Sequence, residues 1–176
     1  DGVAVSGDAV TIRECVVRNC AGAGVRAESA ADSGVEHCTI IRNAVGVVLE
    51  AGCTGATVRD SIIAENRDTQ LSASADAPES LMASHNCWSG PEVDPERVAT
   101  EIGSVVAEPG FVDARGGDLR LQWDGPAAHR ALYGRPAGAH PALDRVPEIE
   151  EVEVAAVSSD TAIVTWETPR DDTTAK

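Results

Sequence analysis

Aromatic residues are nearly missing from this chain. One phenylalanine, one tyrosine and three tryptophans serve 176 residues, and none precedes Trp88. Residues 1–80 therefore offer no aromatic row on which sugar rings would stack, and a core there must be built from small aliphatic side chains. Leucine is scarce too: residues 1–66 hold only Leu49, with valine and isoleucine in its place. Basic residues are few. Against 29 Asp and Glu stand 14 Lys and Arg, a formal charge of −15. Such a balance argues against nucleic acid as a partner, because phosphate binding needs clustered cations. No apolar run is long enough to cross a bilayer and no secretory signal is present, so membrane insertion is not expected. Five cysteines, an odd number, follow no metal-ligand spacing. They are expected to be buried, reduced thiols, with a disulfide at Cys53 or Cys87 as the lesser alternative.

What the chain does have is a repeat. Ile12, Cys15, Val17 and Cys20 recur as Val35, Cys38, Ile40 and Asn43, and again as Val58, Ser61, Ile63 and Asn66, at a constant step of 23 residues. Val25, Val48 and Leu71 keep the same step, and a degraded fourth copy is predicted from Leu81, with Ser84 in the place of Cys15, Cys38 and Ser61. Fixed self-similarity at this period marks a stacked-repeat fold. Short alternating runs such as Cys38-Thr39-Ile40 have the strand period, not the helical one. Intervals of three, Val35 to Cys38 and Ile40 to Asn43, read as bends. Gly24, Gly46 and Gly55 are predicted to supply further corners, where glycine tolerates positive φ. One repeat therefore makes about three short strands with no room for a crossover helix, and stacked repeats pair strand on strand at about 4.8 Å. Leucine-rich repeats share the period but need leucine and a helical segment in each unit. The prediction is an all-β parallel solenoid. Cys20, Asn43 and Asn66 would form a column at a bend, with the amides bonded along the stack as in other amide ladders.

Equivalence also stacks charged residues. Glu14, His37 and Asp60 share one exposed repeat position, and Arg13, Glu36 and Arg59 the next. A histidine between two carboxylates is a candidate general acid or base, so Glu14, His37 and Asp60 are the candidate catalytic residues. Arg13 and Arg59 are the candidate substrate-binding residues, suited to a carboxylate-bearing sugar. The competing reading is structural: opposite charges on neighbouring strands pair for a fraction of a kcal/mol each. Glu14 and Asp60, two coils apart, fall near the upper end of the spacing used in glycoside hydrolysis. No metal site is evident.

The three motifs, with Gly46-Val47-Val48 after Asn43, resemble the right-handed parallel β-helix superfamily of pectate-lyase-like and NosD-like proteins, over roughly residues 1–90. The resemblance supplies the handedness. Ser84-His85-Asn86-Cys87-Trp88-Ser89-Gly90 is similar to the last coil of such proteins. Glu108-Pro109-Gly110-Phe111-Val112-Asp113, then Asp118-Leu119-Arg120-Leu121, Gly125-Pro126-Ala127 and Gly134, resemble their closing segment, with Glu108 for the usual Asp and Gly125 for the usual Ser. Residues 91–145 are accordingly expected to be a cap and linker, with Phe111, Leu119, Leu121 and Trp123 covering the open lumen. Residues 146–176 read as two alternating strands joined by a polar turn. They resemble the start of a fibronectin type III module, Trp166 being its core tryptophan and Arg170–Lys176 a frayed end. The chain opens mid-motif at Asp1 without a methionine, as expected of a piece of a longer protein. The resemblance implies a secreted or cell-surface protein associated with polysaccharide or cell-surface glycan. Its alternatives are a fragment of a polysaccharide lyase or glycoside hydrolase, or an adhesin-like structural repeat. Calcium would enter only through lyase chemistry in a longer parent protein. Asp60 and Glu36 are weak candidates for it, and no cluster resembling the family's metal site is evident.

Overall fold

The computed structural model describes residues 1–74, 81–90, 100–142, 150–157 and 162–167. Two compact units divide at Leu143. In the first, three strands make each turn of a solenoid. Sheet I stacks β1 (Val3–Ser6), β4 (Ala23–Glu28), β7 (Val45–Leu49) and β10 (Thr69–Ala73). Sheet II stacks β2 (Thr11–Arg13), β5 (Gly34–Glu36), β8 (Thr57–Arg59), β11 (Met82–Ser84) and β13 (Thr100–Ile102). Sheet III stacks β3 (Val16–Arg18), β6 (Thr39–Ile41), β9 (Ile62–Ala64), β12 (Cys87–Ser89) and β14 (Val105–Val106). Every pairing among these is parallel, with Ile12 on Val35 on Val58 and Val17 on Ile40 on Ile63. The predicted solenoid is the fold.

The inward columns form one core from Val5 to Trp88, with Ile40 and Ile63 fully buried. Each such side chain contributes about 1.5–3 kcal/mol by leaving water. Trp88 continues the column of Val17, Ile40 and Ile63 in the fourth coil. A void of about 20 Å³ lies between Val5, Val25, Val47 and Val58, room for one water at most.

The register departs from a uniform step in two places. Val25 pairs with Val47, not Val48, and Val47 with Leu71. One residue is missing from the corner between β6 and β7 and is regained after β7. The fourth coil places Asn86, not Ser84, below Ser61, because Ser84 pairs with Arg59. Extra residues between β10 and β11 produce that shift. Sheets II and III keep their spacing while the corner from sheet I to sheet II absorbs length, so an eye trained on one step mispairs that side.

The bends are also built differently from expectation. Gly24 and Gly46 lie inside strands β4 and β7, and only Gly55 takes positive φ (62°). The sharp bends between sheets II and III use Glu14, His37, Asp60 and His85 in the left-handed region, and Asn19, Arg42 and Glu65 do so between sheets III and I. Each such residue costs about 1–2 kcal/mol of backbone strain. The strain is offset by hydrogen bonds along the stack. At several of these bends the next residue turns its amide toward the following coil, where a side chain accepts it. Asn66 Oδ1 accepts from Asn43 N at 2.9 Å, Ser61 Oγ from Cys38 N at 3.1 Å and Asn86 Oδ1 from Ser61 N at 3.0 Å. The expected amide ladder is present, with Asn43 Nδ2 donating to Asn66 Oδ1 at 3.1 Å.

All five thiols are free. Cys38, Cys53 and Cys87 are buried, whereas Cys15 is exposed and Cys20 half-buried, so the expectation of burial fails in the first coil. Burial pushes the Cys38 thiol from 9.0 up to about 11 and the Cys87 thiol up to about 12. Both values are raised in the fold, so their contribution is complete below pH 9.0 and is lost as pH climbs through about 11 and 12. A thiol reagent at about pH 8 should label Cys15 in the native protein and Cys38, Cys53 and Cys87 only on unfolding. Mass spectrometry of the labelled peptides reads this, and simultaneous labelling of all five would contradict the packing.

Residues 107–142 pack on the outer face of sheet III. Phe111 and Leu121, on the hairpin of β15 (Phe111–Asp113) and β16 (Asp118–Leu121), pack with Ala127, Ala128, Ala131 and Ala137 against Ile62, Ala64 and Cys87, the outward side chains of sheet III. Trp123 remains 41% exposed. The segment is a flank along the solenoid, bonded to it at Thr39, Arg42 and Asp60. Ile62 and Ala64 alternate with inward Ile63, so sheet III is apolar on both faces and needs a cover. The second unit contains the two expected strands, β17 (Glu150–Val157) and β18 (Ala162–Glu167), paired antiparallel. Residues 91–99 of the expected cap and linker, the Trp166 side chain and the expected frayed end Arg170–Lys176 fall outside the described residues.

Candidate functional site

The bend between sheets II and III stacks Glu14, His37, Asp60 and His85 in one column, each in the left-handed region. The flank crosses this column. Leu132 N donates to Asp60 Oδ1 at 2.8 Å, Gly138 N to Asp60 O at 2.9 Å and Ala139 N to Thr39 Oγ1 at 3.0 Å. Asp60 is thereby 2% exposed. The sequence placed it on an exposed column; the flank buries it. Its other oxygen, Oδ2, lies 3.3 Å from Arg59 Nη1 and 3.8 Å from His37 Nε2.

Above Asp60 the bend and the flank enclose an open cleft of about 240 Å³. Glu14 and His37 form one wall, and Arg135, Pro136 and His140 the other. A glutamate, an arginine and two histidines thus line a common space. Of the three candidate catalytic residues, Glu14 and His37 line the cleft and Asp60 lies beneath it, holding the flank with one oxygen and facing His37 with the other. On the neighbouring hairpin, hydrogen bonds from Arg120 lower the Asp118 carboxyl to about 2.

Arg13 and Arg59 stack either side of Glu36 and both bind it. Arg13 donates to Glu36 Oε2 from Nε at 2.9 Å and from Nη2 at 2.5 Å, and Arg59 Nε to Oε1 at 3.0 Å. Burial pushes the Glu36 carboxyl up, but the hydrogen bonds from Arg59 and Arg13 outweigh it and hold the group below 4.5. This stabilisation is present above the unfolded value of 4.5 and is lost as pH falls through the lower folded value. Replacing Glu36 by glutamine should cost about 2 kcal/mol, the worth of hydrogen bonds to a charged group. It should also flatten the acid limb of the stability profile, read as urea midpoints from neutral pH downward.

Arg135 and His140 escape sequence reasoning because the flank has no period to place them against the coils. His85 escapes because the fourth coil is shifted. Among the described residues, no group of three or more His, Cys, Asp or Glu is placed to hold a metal ion.

Residues 1–91 match the family model described as the right handed beta helix region. The chain belongs to that family. No curated protein and no solved structure gave a significant match. For this β-helix the right-handed sense of coiling comes with the family, and the three parallel sheets with their stacked columns are its scaffold. Among the described residues no helix is long and apolar enough to cross a membrane.

Proposed function

We propose that this β-helix is a carbohydrate-associated scaffold of a secreted or cell-surface protein, binding an oligosaccharide in the cleft between the bend column and the flank. The observation that carries the reading is the convergence of Glu14, His37, Arg135 and His140 on one open space. Hydroxyl-rich ligands need several donors and acceptors set at fixed positions, and here one wall stands on the coils while the other stands on a flank hydrogen-bonded to them at Asp60 and Thr39. Arg13 and Arg59, bound to Glu36 one residue away, belong to the same charged surface and would add contacts to a carboxylated sugar. Membership of the pectate-lyase-like or NosD-like group, and a fibronectin type III nature for the second unit, are parts of the same proposal.

One observation favours an enzyme. His37 lies 3.8 Å from the buried Asp60, so that a small shortening on substrate binding would let Asp60 orient the imidazole while His37 and Glu14 exchange protons with substrate. A lyase of this kind would draw calcium from elsewhere in a longer parent protein. A purely structural, adhesin-like role needs no occupied cleft.

Affinity electrophoresis against a panel of neutral and acidic polysaccharides, with unsaturated and reducing ends assayed in parallel, separates the three. The scaffold reading expects retardation by at least one polysaccharide without product. Unsaturated ends would establish a lyase and new reducing ends alone a hydrolase, each expected to vanish in His37→Ala. No retardation and no product from the folded chain would leave the structural role.

A further inference from the structure

Tyr133 is the only tyrosine in the chain, and it is 90% exposed. It occupies the 3-10 turn Leu132–Gly134 with φ 63 and ψ 28. An aromatic side chain left in water forgoes the burial that usually stabilises it. A left-handed backbone adds about 1–2 kcal/mol of strain. Neither cost is relieved by burial, yet the turn is firmly held. Leu132 N is bound to Asp60, Ala131 N donates to Arg135 O at 2.8 Å, and Gly134 N donates to Ala131 O at 3.0 Å. Ala131, just before it, is buried against sheet III. Strain kept in place by its surroundings is found where a side chain is being presented.

What it is presented to follows from its neighbours. Arg135, two residues on, and Pro136 form a wall of the cleft, and the peptide that carries Leu132 is fixed to the Asp60 beneath it. Tyr133 thus belongs to a turn tied to Asp60 and lies two residues before Arg135, in the segment that supplies one side of a space lined by Glu14, His37, Arg135 and His140. Leu132, 41% exposed, is the adjacent apolar side chain. Two such residues are too few for a protein interface of about 800 Å² per partner, but one ring is enough for one sugar.

We infer that Tyr133 is a stacking platform for a pyranose ring. The C–H face of the sugar lies on the aromatic face while its hydroxyl or carboxyl groups meet the polar cleft. This rests on the glycan reading and adds to it a specific subsite. It favours rings with a continuous C–H face, as in β-linked glucose-type chains.

Because Tyr133 is unique, ring-labelled tyrosine gives one set of NMR signals. Cellohexaose and hexagalacturonate are the first probes, followed by the binding members of the polysaccharide panel. Saturation with a binding glycan is expected to shift the Tyr133 ring signals. Tyr133→Ala should weaken binding about ten-fold, while Tyr133→Phe stays near wild type. A glycan that perturbs His37 and His140, leaves the Tyr133 ring unmoved and binds Tyr133→Ala equally well would overturn the platform and leave the glycan reading standing. No binding across the whole panel would remove both.

Discussion

Asn66→Ala should destabilise the solenoid by about 4 kcal/mol, the sum of several buried groups left without partners at about 1–3 kcal/mol each and reduced for non-additivity. Asn66 Oδ1 accepts from Asn43 N at 2.9 Å and from Asn43 Nδ2 at 3.1 Å, while its Nδ2 donates to Ile40 O at 3.2 Å and to Gln70 Oε1 at 2.7 Å. Alanine removes all four bonds in a side chain that is 1% exposed. The urea midpoint reads the loss. The double variant with Asn43→Ala should lose less than the sum of the singles, because one bond, from Asn43 Nδ2 to Asn66 Oδ1, is shared by the two side chains. A loss below about 1 kcal/mol would mean that water replaces the ladder.

Gly46→Val should cost about 3 kcal/mol or prevent folding, as over-packing does where neighbours cannot yield. A Cβ at Gly46 would run into the Gln70 carbonyl, stand 2.6 Å from Ile63 Cγ2 and 2.9 Å from Asn66 Nδ2. Gly24 is similarly confined, 2.6 Å from Ile40 Cγ2 and 2.7 Å from Asn43 Nδ2. The obstruction includes backbone of the next coil, which moves only if the stack opens. Gly7, with nothing within 4 Å, is the control for space, though its φ of 101 strains any replacement. Circular dichroism and urea midpoints compare the two, and a Gly46→Val protein as stable as wild type would contradict the close stacking of β7 on β10.

The coil was legible because its constraint repeats. Val17, Ile40 and Ile63 meet the same lumen, and Cys20, Asn43 and Asn66 the same bend, so one physical demand is written three times. Gly24 and Gly46 show the limit of that reading. Glycine signals either a turn or a close approach, and only the neighbouring coil tells which. The site was half legible. Glu14 and His37 could be stacked by arithmetic, but the burial of Asp60 depends on Leu132 and Gly138, some 70 residues away in sequence. Sequence supplied the apolar residues Phe111 and Leu121 and pointed them at the open lumen, whereas both pack on the outer face of sheet III. Sheet III, with Ile62 and Ile63 adjacent and facing opposite ways, was the clue that a second apolar surface wanted covering.

The account stands on the cleft being the place where a glycan is held, and its walls come from two parts of the chain. The direct measurement is isothermal titration of the polysaccharide-derived oligosaccharide that binds best, against the wild-type chain and the double variant His37→Ala/Arg135→Ala. Both residues are partly exposed, so the variant should melt within a few degrees of wild type. The account expects its affinity to fall by about 30-fold or more, since each lost polar contact to a ligand is worth about 1 kcal/mol. Wild-type affinity in a folded double variant would contradict it and move the binding surface away from the flank.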